Sequence, residues 1–373
     1  MLWRRGFAIA GALAVIMLVI APPASAQTVS IQVAYAPMTA TTGFSPSVTT
    51  ATATCPAGTT LTSGGARLSH DQTSGAPTGA QVTNDGSVIE GTYPSDPSGN
   101  AVATNSVTPA SWSAAGGYAG MAPGTDSITS FALCLTGSTA ATVVEATAAP
   151  SPTTTIVPAT ATCPAGTSLI GGGGLTGFNG SNNTKIFDSY PSDTAGDLPT
   201  SGTTDPTSWT AIPNSNNPSG STTTAFAICA TDMPVATVVV SNGVSEAPVT
   251  GSTPLPDAIV TCPGGSVLLA GGSDITSNPS GPGTGGQGVH PVGDYPSDSA
   301  GNPQTASAAS WTVVAMDGGQ GLTSAAATAF ALCATAPGAD VPEFAYPALM
   351  LIVGGLLGGY VLYRWHRSSL VSL

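Results

Sequence analysis

Cys-Pro-(Ala/Gly)-Gly occurs three times in this chain, opening at Cys55, Cys163 and Cys262, and the same landmarks follow each time in the same order. Tyr-Pro-Ser-Asp comes at 93–96, 190–193 and 295–298. Ser-Trp comes at 111–112, 208–209 and 310–311, and Phe-Ala-(Leu/Ile)-Cys at 131–134, 226–229 and 330–333. Self-similarity at a period of roughly a hundred residues describes one module used three times, each copy of ordinary domain size. Any fold of the chain must therefore be one that this module can build in triplicate.

The module reads as all-β. Short alternating or β-branched apolar runs recur, as in Val29–Tyr35 and Trp311–Ala315, and no stretch between 27 and 340 has a capped helical period. Gly, Pro, Ser, Thr and Ala abound, a composition shared with disordered stalks. One Trp, one Tyr and one Phe that recur at similar places in every copy, with paired cysteines, argue for a folded core instead. Pro56, Pro164 and Pro263 cannot donate to a ladder and mark strand ends. The Gly clusters at 64–65, 171–174 and 271–272 permit a bulge or a close backbone approach. Tyr-Pro-Ser-Asp-x-x-Gly-(Asn/Asp) is turn chemistry. In the closing strand Phe131 and Leu133 face one side, and Ala132 and Cys134 the other.

Six cysteines, two per copy, predict the disulfides Cys55–Cys134, Cys163–Cys229 and Cys262–Cys333. In an immunoglobulin domain the Trp follows soon after the first Cys. Here Trp112 lies far nearer Cys134, which excludes that pattern. The expected architecture is three tandem disulfide-stapled β-sandwich-like modules, 27–137, 138–234 and 235–336, with a prism or barrel as the alternative.

The ends carry targeting chemistry. Residues 1–26 combine Arg4 and Arg5, the apolar run Phe7–Ile20 and Ala24-Ser25-Ala26, which reads as a signal peptide cleaved between Ala26 and Gln27. A linker at 337–343 precedes the uncharged segment 344–363, long enough to cross about 30 Å of hydrocarbon as a helix. Arg364, His366 and Arg367 follow within the tail 364–373. Positive residues favour the cytoplasmic side, so the three modules are expected outside and the tail inside.

Val341-Pro342-Glu343-Phe344, an apolar segment and then a basic cluster resemble the tripartite sorting signals of exosortase and archaeosortase substrates, the PEP-CTERM and PEF-CTERM surface proteins. That resemblance implies a sorting motif at Pro342, Glu343 and Phe344, cleavage of the tail there, and a sorting transpeptidase as partner. Without processing, the segment is a single-pass anchor. The plan Cys-Pro-Ala-Gly…Trp…Ala-x-Cys also resembles a repeat of secreted bacterial proteins that have no assigned activity.

Charge narrows the function. Charged residues are 7% of the chain, against roughly 25% in ordinary domains. All nineteen acids lie between Asp71 and Glu343, where Arg67 and Lys185 are the only bases near or within that span. Phosphate-backbone recognition needs clustered Lys and Arg, so nucleic acid is excluded as a partner. His70 and His290 do not recur among the copies and no Gly-x-Ser-x-Gly elbow is present, so no enzyme activity and no catalytic residue are expected. Cys-x-x-Cys spacings are absent, so no transition-metal site is expected either.

The candidate ligand residues are Tyr93, Asp96, Tyr190, Asp193, Tyr295 and Asp298, an aromatic beside a carboxylate in each copy. They suit a carbohydrate or, as a cofactor, calcium, although turn-capping aspartates are the simpler account. Asn179-Gly-Ser and Asn182-Asn-Thr fit the glycosylation pattern. Arg67 and Lys185 follow Gly clusters and are expected beside loops, open to trypsin. The expectation is a non-enzymatic, surface-anchored structural or adhesive protein of the cell envelope, meeting a surface glycan or a neighbouring envelope protein. A trivalent lectin-like binder is the alternative.

Overall fold

The computed structural model describes residues 28–38, 48–70, 80–81, 87–118, 126–136, 140–148, 157–177, 185–214, 222–231, 233, 236–240, 244–246, 256–277, 289–316 and 325–335. The signal peptide with Ala26 and Gln27, the acceptors Asn179 and Asn182, the motif Pro342–Phe344 and the segment 344–363 all lie outside them. Among the described residues no helix is long and apolar enough to cross a membrane.

The first repeat supplies β1 (Val29–Pro37), β2 (Thr49–Thr54), β3 (Thr59–His70), β4 (Ala80–Gln81), β5 (Ser87–Ser95), β6 (Ser111–Tyr118) and β7 (Asp126–Thr136). The second supplies β8 (Ala141–Ala148), β9 (Ala159–Thr162), β10 (Ser168–Thr176), β11 (Lys185–Ser192), β12 (Ser208–Asn214) and β13 (Thr223–Ala230). From the third come β14 (Ala236–Val240), β15 (Val244–Glu246), β16 (Ala258–Thr261), β17 (Ser266–Ser277), β18 (His290–Ser297), β19 (Ser310–Met316) and β20 (Ala325–Thr335). The fold is all-β, and all three expected disulfides are formed, with Cα–Cα separations of 5.6, 5.6 and 5.7 Å.

Within each repeat the strands divide between two sheets that pack face to face. In the first, β1, β7 and β3 lie in one sheet and β2, β6 and β5 in another, and Cys55–Cys134 crosses from the end of the second set to β7. Each repeat is thus a small sandwich, as its landmarks suggest. The sandwiches are not, however, separate beads. The three sheets run β1-β7-β3-β18-β19-β16, β2-β6-β5-β10-β13-β8 and β14-β20-β17-β11-β12-β9, so every sheet is half one repeat and half another. The seams are β5–β10, β11–β17 and β18–β3, and the last joins the third repeat back to the first. The three sandwich-like modules share their sheets and so join in a closed three-sheet ring. Prism geometry, the alternative, describes it better.

Glycine explains how the ring closes. The central strands β3, β10 and β17 meet one another: Thr62 Oγ1 donates to the Leu269 carbonyl at 2.6 Å, and a side chain on Gly171 would strike the Thr62 carbonyl. Each central strand is bulged at the same place, around Thr62, Ile170 and Leu269. On the inner face, a Cβ at Gly64, Gly172 or Gly271 would overlap the indole of Trp112, Trp209 or Trp311 of the same repeat. Those tryptophans are at most 1% exposed and fill the space between the two half-sheets.

Small hydroxyl residues finish the outer face, which explains the Ser/Thr-rich composition. Thr52, Ser113 and Ser95 form a chain of hydroxyl hydrogen bonds at 2.8 Å, and Thr160, Thr210 and Ser192 repeat it at 2.9 and 2.8 Å. The loops after the first and third turns then shield an edge strand of another repeat, which blunts a template for unwanted pairing. Asn105 N–H donates to the Val143 carbonyl and Val143 N–H to that of Ser106, while Ile31 N–H of β1 donates to Ala306. Arg67 lies inside β3 at 6% exposure, not beside a loop, which corrects the expectation of trypsin access there.

Candidate functional site

The turn after each Tyr-Pro-Ser-Asp has the same backbone course three times, with the Asp Oδ1 accepting the amides two and four residues on. Asp96 Oδ1 accepts the amides of Ser98 and Asn100 at 2.8 and 3.0 Å, and Oδ2 accepts the Asn100 amide group at 2.9 Å. Asp298 does the same with Ala300 and Asn302. Hydrogen bonding from the Asn100 and Asn302 side chains, then from backbone amides, holds both carboxyls below the usual carboxylate range. Gly99, Gly196 and Gly301 take φ of 88°, 85° and 85°, a backbone that other residues rarely adopt. These carboxylates face their own turns, so calcium there would have to displace the amides that shape the loop.

The tyrosines are placed differently from a sugar platform. Tyr93, Tyr190 and Tyr295 are 5%, 1% and 3% exposed. Each ring packs on the phenylalanine of the next repeat around the ring: Tyr93 on Phe226 at 6.2 Å, Tyr190 on Phe330 at 5.8 Å, and Tyr295 on Phe131 at 5.9 Å between centroids. Each hydroxyl turns back to its own turn, donating to the carbonyl of Gly99, Gly196 or Gly301 at 3.1 to 3.2 Å. Burial raises all three phenols, that of Tyr295 to about 12. The tyrosine is therefore a strut that locks a turn over the seam between repeats, with no face free to stack on a ligand. The recurring Tyr and Phe carry this signal in the sequence, because a pair that recurs at fixed positions in every copy can serve the contact between copies. Tyr190→Phe keeps the ring contact and removes only the bond to Gly196. It is expected to cost about 1 kcal/mol, read as a lowered thermal midpoint with an unchanged far-ultraviolet spectrum.

Each Trp indole N–H meets a polar residue on the neighbouring strand: Thr92 at 2.6 Å, Ser189 at 2.9 Å, and the carboxyl of Asp294 in the third repeat. Near the far end of β3, His70 Nδ1 lies 2.8 Å from Asp126 Oδ1, while Ser87 donates to the other oxygen of that carboxylate. The carboxylate thus stands between serine and histidine, not behind the histidine as hydroxyl activation needs. His290 is 1% exposed.

The second repeat departs from the other two. Asp197 replaces the asparagine, so Asp193 accepts backbone amides from Ala195 and Asp197 but no side-chain amide from that position. Beside it lies a cleft of about 360 Å³, lined among others by Asp193, Asp197, Asp205 and the threonines 200, 203, 204 and 207. Among the described residues no cluster of three or more metal-binding side chains occurs. No protein-family model matches the chain, and no curated protein matches it either.

Proposed function

We propose that this chain is a non-enzymatic, surface-anchored structural or adhesive protein of the cell envelope. The observation that carries the reading is where the recurring residues are spent. Cys, Trp, Tyr, Phe, the turn Asp and the close-approach glycines are all engaged in packing, capping or joining the repeats. A module repeated for catalysis or for ligand capture would keep some of its recurring polar or aromatic groups turned to solvent. Three disulfides suit an oxidising exterior. The signal-like start and the apolar segment near the end supply export and anchoring.

Strand direction adds a geometric element. The strands begin or end at the Cys-Pro turns on one side, and both Thr28 and Thr335 lie there. The strands β3, β10 and β17 run away from that side and end at His70, Thr176 and Ser277. The polar cleft of the second repeat favours a second reading, a lectin-like binder, with one acid-lined site in place of three aromatic ones.

An epitope tag within 281–288 tests the first reading. Antibody is expected to reach it on intact, unpermeabilised cells of the native host, and deletion of the chain to weaken cell–cell or cell–surface attachment. A tag seen only after permeabilisation overturns the surface reading. Saturable binding of the full chain to a glycan array, lost in Asp197→Asn, would favour the lectin.

A further inference from the structure

The residue before Tyr-Pro-Ser-Asp is Thr92 in the first repeat, Ser189 in the second and Asp294 in the third. Each takes the indole N–H of its own repeat's tryptophan, so in the third repeat a carboxyl stands where the other two have a hydroxyl. Asp294 is 6% exposed. Its Oδ1 accepts from Trp311, and its Oδ2 lies 3.3 Å from the Ser273 hydroxyl on β17. Since β17 and β18 belong to different sheets, the carboxyl ties the two half-sheets of the third repeat together. Trp311 and Ser273 are its hydrogen-bond partners among the described residues, and both are neutral. The backbone of Asp294 pairs with Ala66 across the seam that closes the ring.

We propose that the third repeat is a proton-sensing module: Asp294 is held there as a neutral acid between Trp311 and Ser273, and its ionisation loosens that repeat and the closing seam. A hydroxyl at this position stays neutral, whereas a buried carboxyl must either keep its proton or hold a charge out of water. As a neutral acid it accepts the indole N–H through Oδ1, and its proton on Oδ2 faces the Ser273 hydroxyl. The strands packed on β18 are β19, β3, β17, β5 and β11. No ionisable side chain lies on β19. On β3, Arg67 sits over the Tyr295 ring, on the face opposite Asp294, and His70 meets Asp126. On β17, Asp274 follows Ser273 and takes the other face of the strand. On β5, Glu90 lies against Gly117 of β6, and the Tyr93 hydroxyl is on Gly99. On β11, Asp188 accepts the Ile275 amide, the Tyr190 hydroxyl is on Gly196, and Lys185 stands at the start of the strand. On β18 itself, His290 begins the strand and the Tyr295 hydroxyl is on Gly301.

The sign follows from burial, which raises the Asp294 carboxyl from the usual carboxylate range to about 7, against the smaller lowering by its bonds to Trp311 and Ser273. A group whose folded pKa is raised stabilises the fold fully below its unfolded value. That contribution is lost as pH rises through about 7. Burial also raises Glu90 to about 7 and Asp274 to about 6, so both act in the same direction elsewhere in the chain. Overall stability against pH would mix the three, and the readout has to sit at Trp311 and β18.

The test is nuclear magnetic resonance on the full chain in detergent micelles, with tryptophan indoles and aspartate carboxyls labelled, from pH 5 to pH 9. The Asp294 carboxyl carbon is expected to titrate with a midpoint near 7, and the Trp311 indole N–H to move with it. The indoles of Trp112 and Trp209, bonded to Thr92 and Ser189, are built-in controls that should not follow. The Asp294 amide and its β18 neighbours should lose protection against hydrogen exchange, corrected for intrinsic rates, by up to about a hundredfold between pH 5 and pH 9, the ratio set by the displaced ionisation. Asp294→Asn, whose amide keeps the neutral acid's acceptor and donor, should abolish both changes and leave protection at pH 9 above that of the native chain. An Asp294 carboxyl already ionised at pH 5 overturns the proposal without any variant. Unchanged β18 protection in the native chain overturns it as well. So does a Trp311 indole that moves equally in Asp294→Asn, as titration of His290 on the same strand would cause.

Discussion

Trp311→Ala is expected to destabilise the chain by about 3–5 kcal/mol, the range for removing a large buried aromatic. The indole is fully buried between the half-sheets of the third repeat, against Gly271 of β17, and its far edge reaches Gly65 of the first repeat. Its loss opens a cavity that the backbone cannot fill, since no side chain stands on either glycine. It also strips the Asp294 carboxyl of its indole donor, leaving Ser273. Because the same ring touches two repeats, the loss should appear in both. Chemical denaturation followed by the fluorescence of the remaining tryptophans reads it as one displaced transition. A change confined to the third repeat, with the other two melting where they did, would go against the shared core.

Reduction is the second large effect. Cys55–Cys134, Cys163–Cys229 and Cys262–Cys333 close sequence separations of 79, 66 and 71 residues. Opening the first should cost about 4–5 kcal/mol on chain-entropy grounds. A domain's whole stability is roughly 5–15 kcal/mol. Reduction of all three is therefore expected to unfold the chain at physiological temperature, seen as loss of the β-sheet circular dichroism signal. A single Cys229→Ser, Cys163→Ser pair should instead leave a folded chain with a lowered midpoint. If fully reduced protein kept its native spectrum and midpoint, the disulfides would be ornaments on a core strong enough alone.

Much of this was legible in residues, for definite reasons. Cysteines fixed at both ends of each copy imply the pairings, because each copy carries both partners. The face alternation of Phe131 and Leu133 against Ala132 and Cys134 holds, with Cys134 inside the sandwich and Phe131 on the seam. The exchange of strands between sheets was not legible. Periodicity within one copy says that β5 and β10 are strands, but nothing local says that a strand of one repeat pairs with a strand of the next. The candidate ligand residues divide on the same ground. An aspartate four residues before an asparagine already spells a turn, and Asp96 and Asp298 make that turn. A tyrosine beside it fits equally a platform or a strut. What decides is the loop folding back to place Gly99, Gly196 or Gly301 on its hydroxyl, a tertiary fact.

Closure of the ring is the claim on which the rest stands, and its test is the seam between the ends of the repeat array. Ala66 in β3 pairs with Asp294 in β18 across that seam, although the two belong to the first and third repeats. Nuclear Overhauser contacts between residues 66 and 294, measured on the full chain with labelled alanine methyls, probe it directly. The closed ring predicts a strong cross-strand contact there, as strong as that between Ala66 and Ser130 within the first repeat. Contacts inside every repeat with none between 66 and 294 would mean three separate sandwiches, and would contradict the account.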